Sequence, residues 1–255
     1  MMLETLQTIE QTLNLSTWTC RQVALLTALI LGLLYRYEKW GIRWYSLLHA
    51  IMSGYLSFIC VVTSYNHAAS TTTTTLCNGP LTEFHRLTPA ITLGYGLFDI
   101  LEASIKSLPR DFLLHGFATF AVMLYFCEYD IPEIVLPFLL MEISTVHLVL
   151  MKAEKLSNKL MGVNLGLFVV TFFVFRLMVC PYLWWEIVRD TLFQSEGDVV
   201  EGMECLPWHF KYFWFVVGMI FNGLNSYWGV KIILKVMRKV SGKEKMKEAN
   251  GLKDR

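Results

Sequence analysis

Seven apolar runs divide this chain, and they limit what it can fold into more than any other feature. They cover roughly 18–36, 44–64, 88–105, 110–127, 132–151, 162–185 and 209–234. As a helix rising ~1.5 Å per residue, each is about long enough to cross a ~30 Å hydrocarbon core; the third and fourth are the shortest. Lipid offers no hydrogen-bond partners, so a segment inside it must satisfy its own backbone, which a helix does. The polar inventory agrees, since only 17% of the residues are charged and 55% are hydrophobic, against roughly 25% charged in a soluble domain. The expected class is an all-α membrane protein with seven transmembrane helices. No segment has the basic, polar character of a nucleic-acid binder, which removes that function class. The first run reads as a membrane helix and not as a cleavable signal peptide. No basic segment precedes it, and Tyr35-Arg36-Tyr37-Glu38-Lys39 follows it.

Charge alternates from loop to loop. Arg36, Lys39 and Arg43 follow the first run, Lys106 and Arg110 separate the third and fourth, and Lys152, Lys155 and Lys159 follow the fifth. Lys231, Lys235, Arg238, Lys239, Lys243, Lys245 and Lys247 close the chain. The other loops are poor in basic residues. Glu128 and Asp130 lie between runs four and five, and six acidic residues from Glu186 to Glu204 face only Arg189 between six and seven. Basic loops stay in the cytosol, so the N-terminus is expected outside and the C-terminus in the cytosol. The predicted organisation is a lumenal N-terminus and first helix (1–39), six further helices (40–236) and a basic cytosolic tail (237–255). The expected location is the endoplasmic reticulum, with the plasma membrane as the alternative. Cys20, Cys60, Cys77, Cys127, Cys180 and Cys205 form no CxxC or Cys/His spacing, so no metal site is expected. Most of them should pack as small hydrophobes. Cys77 and Cys205 fall in outer loops, where a disulfide and two free thiols are both open. Asn14-Leu15-Ser16 is a glycosylation sequon close to the membrane.

Ionisable groups inside hydrocarbon are costly and are usually kept for a reason. Helical rise gives their depth. His115 is five residues past Arg110 and His147 five before Lys152, each about 8 Å below the cytosolic edge. His49 lies about 9 Å in, Asp99 about 10 Å, and Glu142 about 15 Å, near the midplane. Arg176 is the comparable buried charge on the lumenal side. Asn222 and Asn225 sit one turn apart on one face of the last run. Lipid-facing positions are expensive for all of these, so they are expected to face the bundle interior as a polar chamber open to the cytosol. The competing reading is a set of separate interhelical hydrogen bonds. His49, beside Tyr45 and near the interface, fits that reading best. On the fifth run Glu142 and Thr145 share a face, and Ser144 and His147 share another. Glu142 and His147, five apart and about 140° around the helix, should point at different atoms. Pro132 suits a helix start, and Pro137 should bend the helix after it. Gly94, Gly96, Gly162 and Gly166 are places for close helix approach.

Three of these segments resemble a TLC domain, the family that includes ceramide synthases, the translocating-chain-associating membrane protein and a neuronal lipofuscinosis protein. Gly94-Tyr95-Gly96-Leu97-Phe98-Asp99 resembles the family's Gly-Tyr-x-x-x-Asp. Asp111-Phe112-Leu113-Leu114-His115-Gly116-Phe117-Ala118-Thr119 resembles its histidine motif, and Met141-Glu142-Ile143-Ser144-Thr145 its Glu-x-Ser-Thr segment. The resemblance covers roughly 40–235 and implies a six-helix TLC barrel plus one leading helix, in agreement with the seven runs. Ceramide synthases carry a histidine pair where this chain has His115 and Gly116, and a paired acidic motif in the following helix where it has only Glu142 with Ser144 and Thr145. The resemblance is therefore to the smaller TLC-domain-containing subfamily, which is tied to membrane lipid composition.

Two functions follow. In the first, the chamber binds, senses or moves a membrane lipid, with His147, Thr145, Thr119, Asn222 and Asn225 as lipid contacts and no cofactor. Loss of the second histidine and of the acidic pair favours it. In the second, the protein is an acyltransferase with acyl-CoA as co-substrate, His115 as base or nucleophile, and Asp99 or Glu142 orienting it. A third reading is an adaptor for cargo or membrane enzymes, with Lys243-Glu244-Lys245-Met246-Lys247 as the contact.

Overall fold

A computed structural model describes residues 19–35, 43–70, 82–151, 157–192 and 206–240, together with Thr5 and Thr8. Asn14, Cys77, Cys205 and the tail segment Lys243 to Lys247 lie outside the described residues. Among those described, every regular element is helical. In chain order they are α1 (Cys20–Leu34), α2 (Trp44–Ser70), α3 (Glu83–Ile105) and α4 (Arg110–Tyr129). A 3-10 turn (Pro132–Ile134) leads into α5 (Leu136–Leu139) and α6 (Glu142–Leu150). Then come α7 (Asn158–Thr171), a π-helical stretch (Phe172–Val179), α8 (Cys180–Leu192) and α9 (Phe210–Val240). Each of the seven apolar runs falls on helix. Trp44–Asn66, Arg110–Tyr129 and Asn158–Leu192 are long and apolar enough to cross a membrane, and Cys20–Leu34 and Leu136–Leu150 are shorter apolar helices.

Local chemistry sets several boundaries. Thr19 caps α1 through a reciprocal pair with Gln22, whose amide donates to the Thr19 hydroxyl and whose side chain accepts from the Thr19 amide at 2.9 Å. Ser157 caps α7 through the Leu160 amide. Asp130 ends α4 in the left-handed region at φ 52°.

The helices close into a ring. α2 packs on α3, α3 on α4, α4 on α9, α9 on α8 and the π stretch, that stretch on α7, α7 on α6, and α6 back on α2. α1 stands outside, against α3. Its outer face carries Leu25, Leu29 and Leu33, the last two more than 65% exposed. An unpartnered apolar face of this kind suits contact with lipid.

Glycine decides two of the contacts. A Cβ on Gly94 would run into the Ala24 carbonyl oxygen and come within 2.8 Å of the Thr27 Cβ, so bare backbone is what lets α1 lie on α3. A Cβ on Gly96 would sit 3.0 Å from the Phe120 amide nitrogen of α4. Gly162 and Gly166 have nothing within 4 Å of the Cβ position. Their small-xxx-small spacing is therefore not a contact among the described residues, which corrects that expectation.

Two more corrections concern helix shape. The fifth run is not one bent helix. After Pro137 the chain switches to i→i−3 bonding, with the Met141 amide on the Phe138 carbonyl and the Ile143 amide on the Leu140 carbonyl, and α6 starts at Glu142. The sixth run extends to Leu192 and holds eight π-helical residues in its middle. A π stretch turns the residues after it relative to an α-helix, and such stretches are frequent at functional sites.

Both ends of the ring are tied by buried polar knots that the sequence did not advertise. At one end Glu102 accepts from the Tyr45 hydroxyl at 2.6 Å and from Lys106 at 2.9 Å, with Arg43 at 3.8 Å. At the other, Ser64 donates to Glu133 at 3.0 Å and lies 3.1 Å from His85 Nε2, while His85 Nδ1 is 2.7 Å from the Thr82 hydroxyl. Because the one Ser64 proton goes to Glu133, His85 Nε2 is the donor to Ser64. Serine in this arrangement joins helices and is not an activated nucleophile. Cys60 and Cys180 are buried, as expected of small apolar groups. Cys20 and Cys127 are only half-buried; Cys20 Sγ donates to the Arg86 carbonyl at 3.7 Å, and the neighbouring Arg21–Glu128 ion pair at 2.6 Å joins the start of α1 to the end of α4.

Candidate functional site

The ring surrounds a narrow, partly open cavity of about 60 Å³. α2 contributes His49, α3 contributes Thr92 and Tyr95, and α4 contributes His115, Thr119, Val122 and Met123. The broken fifth run supplies Val135, Phe138, Leu139, Met141 and Glu142. Cys180 and Trp184 come from α8, and Trp214, Val217, Gly218, Phe221, Asn222 and Asn225 from α9. No described residue of α1 lines it.

The wall is polar at one end and apolar at the other. On α4, His115 and Thr119 give way to Val122 and Met123; on α9, Asn225 and Asn222 give way to Phe221, Val217 and Trp214. From Trp214 to Asn225 the cavity runs roughly 16 Å along α9, about half a ~30 Å hydrocarbon core. This is the shape of a polar pocket beneath an apolar shaft.

Two ionisable groups meet at the polar end. His115 Nδ1 lies 3.4 Å from Asp99 Oδ2 across the α3–α4 contact. The His115 ring is flanked by Phe221 at 6.0 Å and Trp228 at 5.5 Å, both on α9. Trp228 in turn donates to Asp111 at 3.0 Å, so the aspartate of the histidine motif joins α4 to α9 and does not itself enter the cavity wall. Beside His115, Gly116 has no room for a side chain. A Cβ there would lie 3.1 Å from Ile100 Cγ1, 3.2 Å from the Ile100 amide and 3.4 Å from Asp99 Oδ2. A second histidine cannot occupy this position without moving α3. Gly116→Ala is expected to cost about 1 kcal/mol, the low end for overpacking, because the contacts are tight and not overlapping; thermal unfolding in detergent measures it.

Arg176 binds the second carboxylate. Its Nη2 lies 3.5 Å from Glu142 and donates to Thr145 at 2.8 Å; Nε donates to Ser144 at 2.8 Å, and Nη1 to Asn225 at 3.3 Å. Sequence reasoning set Arg176 apart in the lumenal half. The structure brings it to Glu142 because the sixth helix is longer than its apolar run and Arg176 stands in its π-helical middle. The signal that could have found it was charge pairing: a lone arginine in a membrane helix needs a carboxylate, and Glu142 was the deepest one.

The sequence-predicted residues therefore separate into three groups. His115, Glu142, Thr119, Asn222 and Asn225 line the cavity, with Asp99 behind His115. Thr145 is held by Arg176 behind the wall. His147 is not among the lining residues; its Nδ1 meets Asn164 Oδ1 at 2.9 Å, and Asn164 Nδ2 donates back to the His147 carbonyl at 2.9 Å, a two-way clamp between α6 and α7. As the 140° separation required, Glu142 and His147 serve different partners. His49 departs from expectation. It is buried, it lines the cavity, and its ring stacks on Tyr95 at 3.7 Å with the planes 4° apart. Among the described residues no group of three or more His, Cys, Asp or Glu is placed to hold a metal ion.

A family model described as the TLC domain matches residues 39–234. The chain belongs to the TLC-domain family. With its apolar helices, this makes it a helical membrane protein. An uncharacterised TLC domain-containing protein of Schizosaccharomyces pombe is 24% identical over 167 residues, which are 61% of this chain and 53% of that protein. The chain thus spans about half the length of this curated relative. No solved structure matches it. The match runs from α2 into α9 and leaves the whole of α1 outside the matched region, just as α1 stands outside the ring.

Proposed function

We propose that the protein holds a membrane lipid in the cavity of its TLC ring, with the polar head among His115, Glu142 and Asn225 and a chain in the apolar shaft. The observation that carries this is the graded wall: polar groups from four helices at one end and, over the ~10 Å from Phe221 to Trp214, a mainly apolar lining. The ring is read as six membrane-crossing helices with α1 as a seventh, the N-terminus lumenal and the polar end of the cavity toward the cytosol. Arg43 and Lys106 lie at that same end. They pair with Glu102, which leaves the assignment unchanged because acidic residues weigh little in the positive-inside rule. In this reading the protein works in lipid homeostasis.

A second reading rests on one specific contact. His115 and Asp99 form a histidine–carboxylate pair inside a largely apolar space, which is the minimum needed for general-base catalysis of acyl transfer from acyl-CoA. One experiment tests both. The full chain and His115→Ala are purified, their retained lipids are quantified, and both are incubated with labelled acyl-CoA and a panel of amine- and hydroxyl-bearing lipids. Lipid binding predicts close to one retained lipid per chain in the wild type, fewer in His115→Ala, and acyl transfer by neither. Acyl transfer that falls 10²- to 10⁴-fold in the variant, the usual range for a lost general base, establishes the second reading instead. Wild-type protein that retains no lipid and transfers no acyl group overturns both.

A further inference from the structure

His49 has no role in either reading so far, yet its surroundings are those of a ligand contact. Its side chain is 2% exposed, and neither Nδ1 nor Nε2 has a hydrogen-bond partner. Stacking on Tyr95 occupies a ring face and fixes its plane, so both nitrogens, which lie in that plane, are left at the ring edge. Leaving two such atoms dry carries a desolvation cost that a bound polar group would remove. Asn225 repeats the pattern. Its Oδ1 accepts from Arg176, while Nδ2 is unpartnered at 1% exposure. Both residues line the same cavity as Glu142 and His115. Trp214 Nε1 is also unpartnered, but it belongs to the apolar end, eleven residues before Asn225 on α9.

The charge of the wall restricts what these atoms can hold. Among the lining residues there is no lysine or arginine, and Glu142 is a carboxylate. The nearby cation, Arg176, lies behind the wall with its donors directed to Glu142, Ser144, Thr145 and Asn225. A phosphate brought here would be a buried anion facing a carboxylate, with no lysine or arginine among the described lining residues to meet it, the arrangement that costs most. An uncharged head that can both donate and accept meets no such penalty. We infer that His49 and the Asn225 amide form the head-group site of the cavity, and that it takes a lipid with an uncharged hydroxyl or amide head and excludes phospholipids. This rests on the lipid-chamber reading. It also gives the chamber a second histidine from a different helix, at a place where Gly116 leaves no space for one beside His115.

The test uses the full chain in detergent with two labelled lipids that have the same chains and differ by the phosphate, dioleoylglycerol and dioleoyl phosphatidate. His49→Phe keeps the ring on Tyr95 and removes both nitrogens. His49→Gln restores a donor and an acceptor. The expected result is at least tenfold preference for dioleoylglycerol, a loss of roughly five- to tenfold in its binding in His49→Phe, as for one neutral hydrogen bond, and partial recovery in His49→Gln. Phosphatidate bound as tightly as dioleoylglycerol, or His49→Phe binding like wild type, overturns the assignment while leaving a lipid chamber in place. Binding of neither lipid by protein that also retains none from its source overturns the chamber reading itself.

Discussion

Arg176→Met is expected to destabilise the protein by about 3–5 kcal/mol, the range for removing one partner of a buried ion pair. Arginine here supplies donors to four residues on two helices, α6 and α9, from its place in the π stretch. Methionine fills much of the same volume, so packing loss is small and the cost is electrostatic. Glu142 is left buried without its cation, and Ser144, Thr145 and Asn225 lose donors. The double variant Arg176→Met, Glu142→Gln removes the stranded charge, so it should recover a good part of the loss. Thermal unfolding in one detergent, read by tryptophan fluorescence, measures all three forms. If the double variant is no more stable than Arg176→Met alone, the network is held by hydrogen bonds to Arg176 and not by the ion pair.

Gly94→Ala should cost about 3 kcal/mol, the upper end for overpacking. The contrast with Gly116 is one of geometry. At Gly116 a Cβ meets neighbours at 3.1 Å or more, whereas at Gly94 it overlaps the Ala24 carbonyl, and backbone cannot swing aside as a flexible side chain can. The strain can be relieved only by moving α1 off α3. Within lipid there is little hydrophobic gain to oppose that movement, because helix association there depends on close packing. The readout is therefore double: a lower unfolding temperature and faster proteolysis or cross-linker access at the α1–α3 contact. A variant that unfolds like wild type would mean that α1 contributes little to the stability of the ring.

How much of this was legible beforehand depends on the range of the interaction involved. The helical class followed from the chain itself, because a backbone in lipid must bond to its neighbours four residues away and apolar runs record that directly. Family membership was legible in three short segments whose order and spacing survive without any knowledge of packing. Matched depth made a meeting of Asp99 with His115 an expectation, and the packing of α3 on α4 supplied the contact. The angular argument separating Glu142 from His147 also held, since it needs only the helical period.

What the sequence could not determine was rotation and register between helices. Arg176 was placed at the wrong depth because its helix outruns its apolar run and because a π stretch follows no pattern of hydropathy. His49 looked like an interface residue by its neighbour Tyr45, and only packing put Tyr95 against its face and the cavity at its edge. Gly94 and Gly162 look alike as small residues in apolar helices, yet one lies in a tight contact between α1 and α3 and the other meets nothing among the described residues. Depth along a helix is a one-dimensional quantity that the order of residues determines. Which side of the helix meets which neighbour depends on every other helix at once, and so it was decided only when the ring closed.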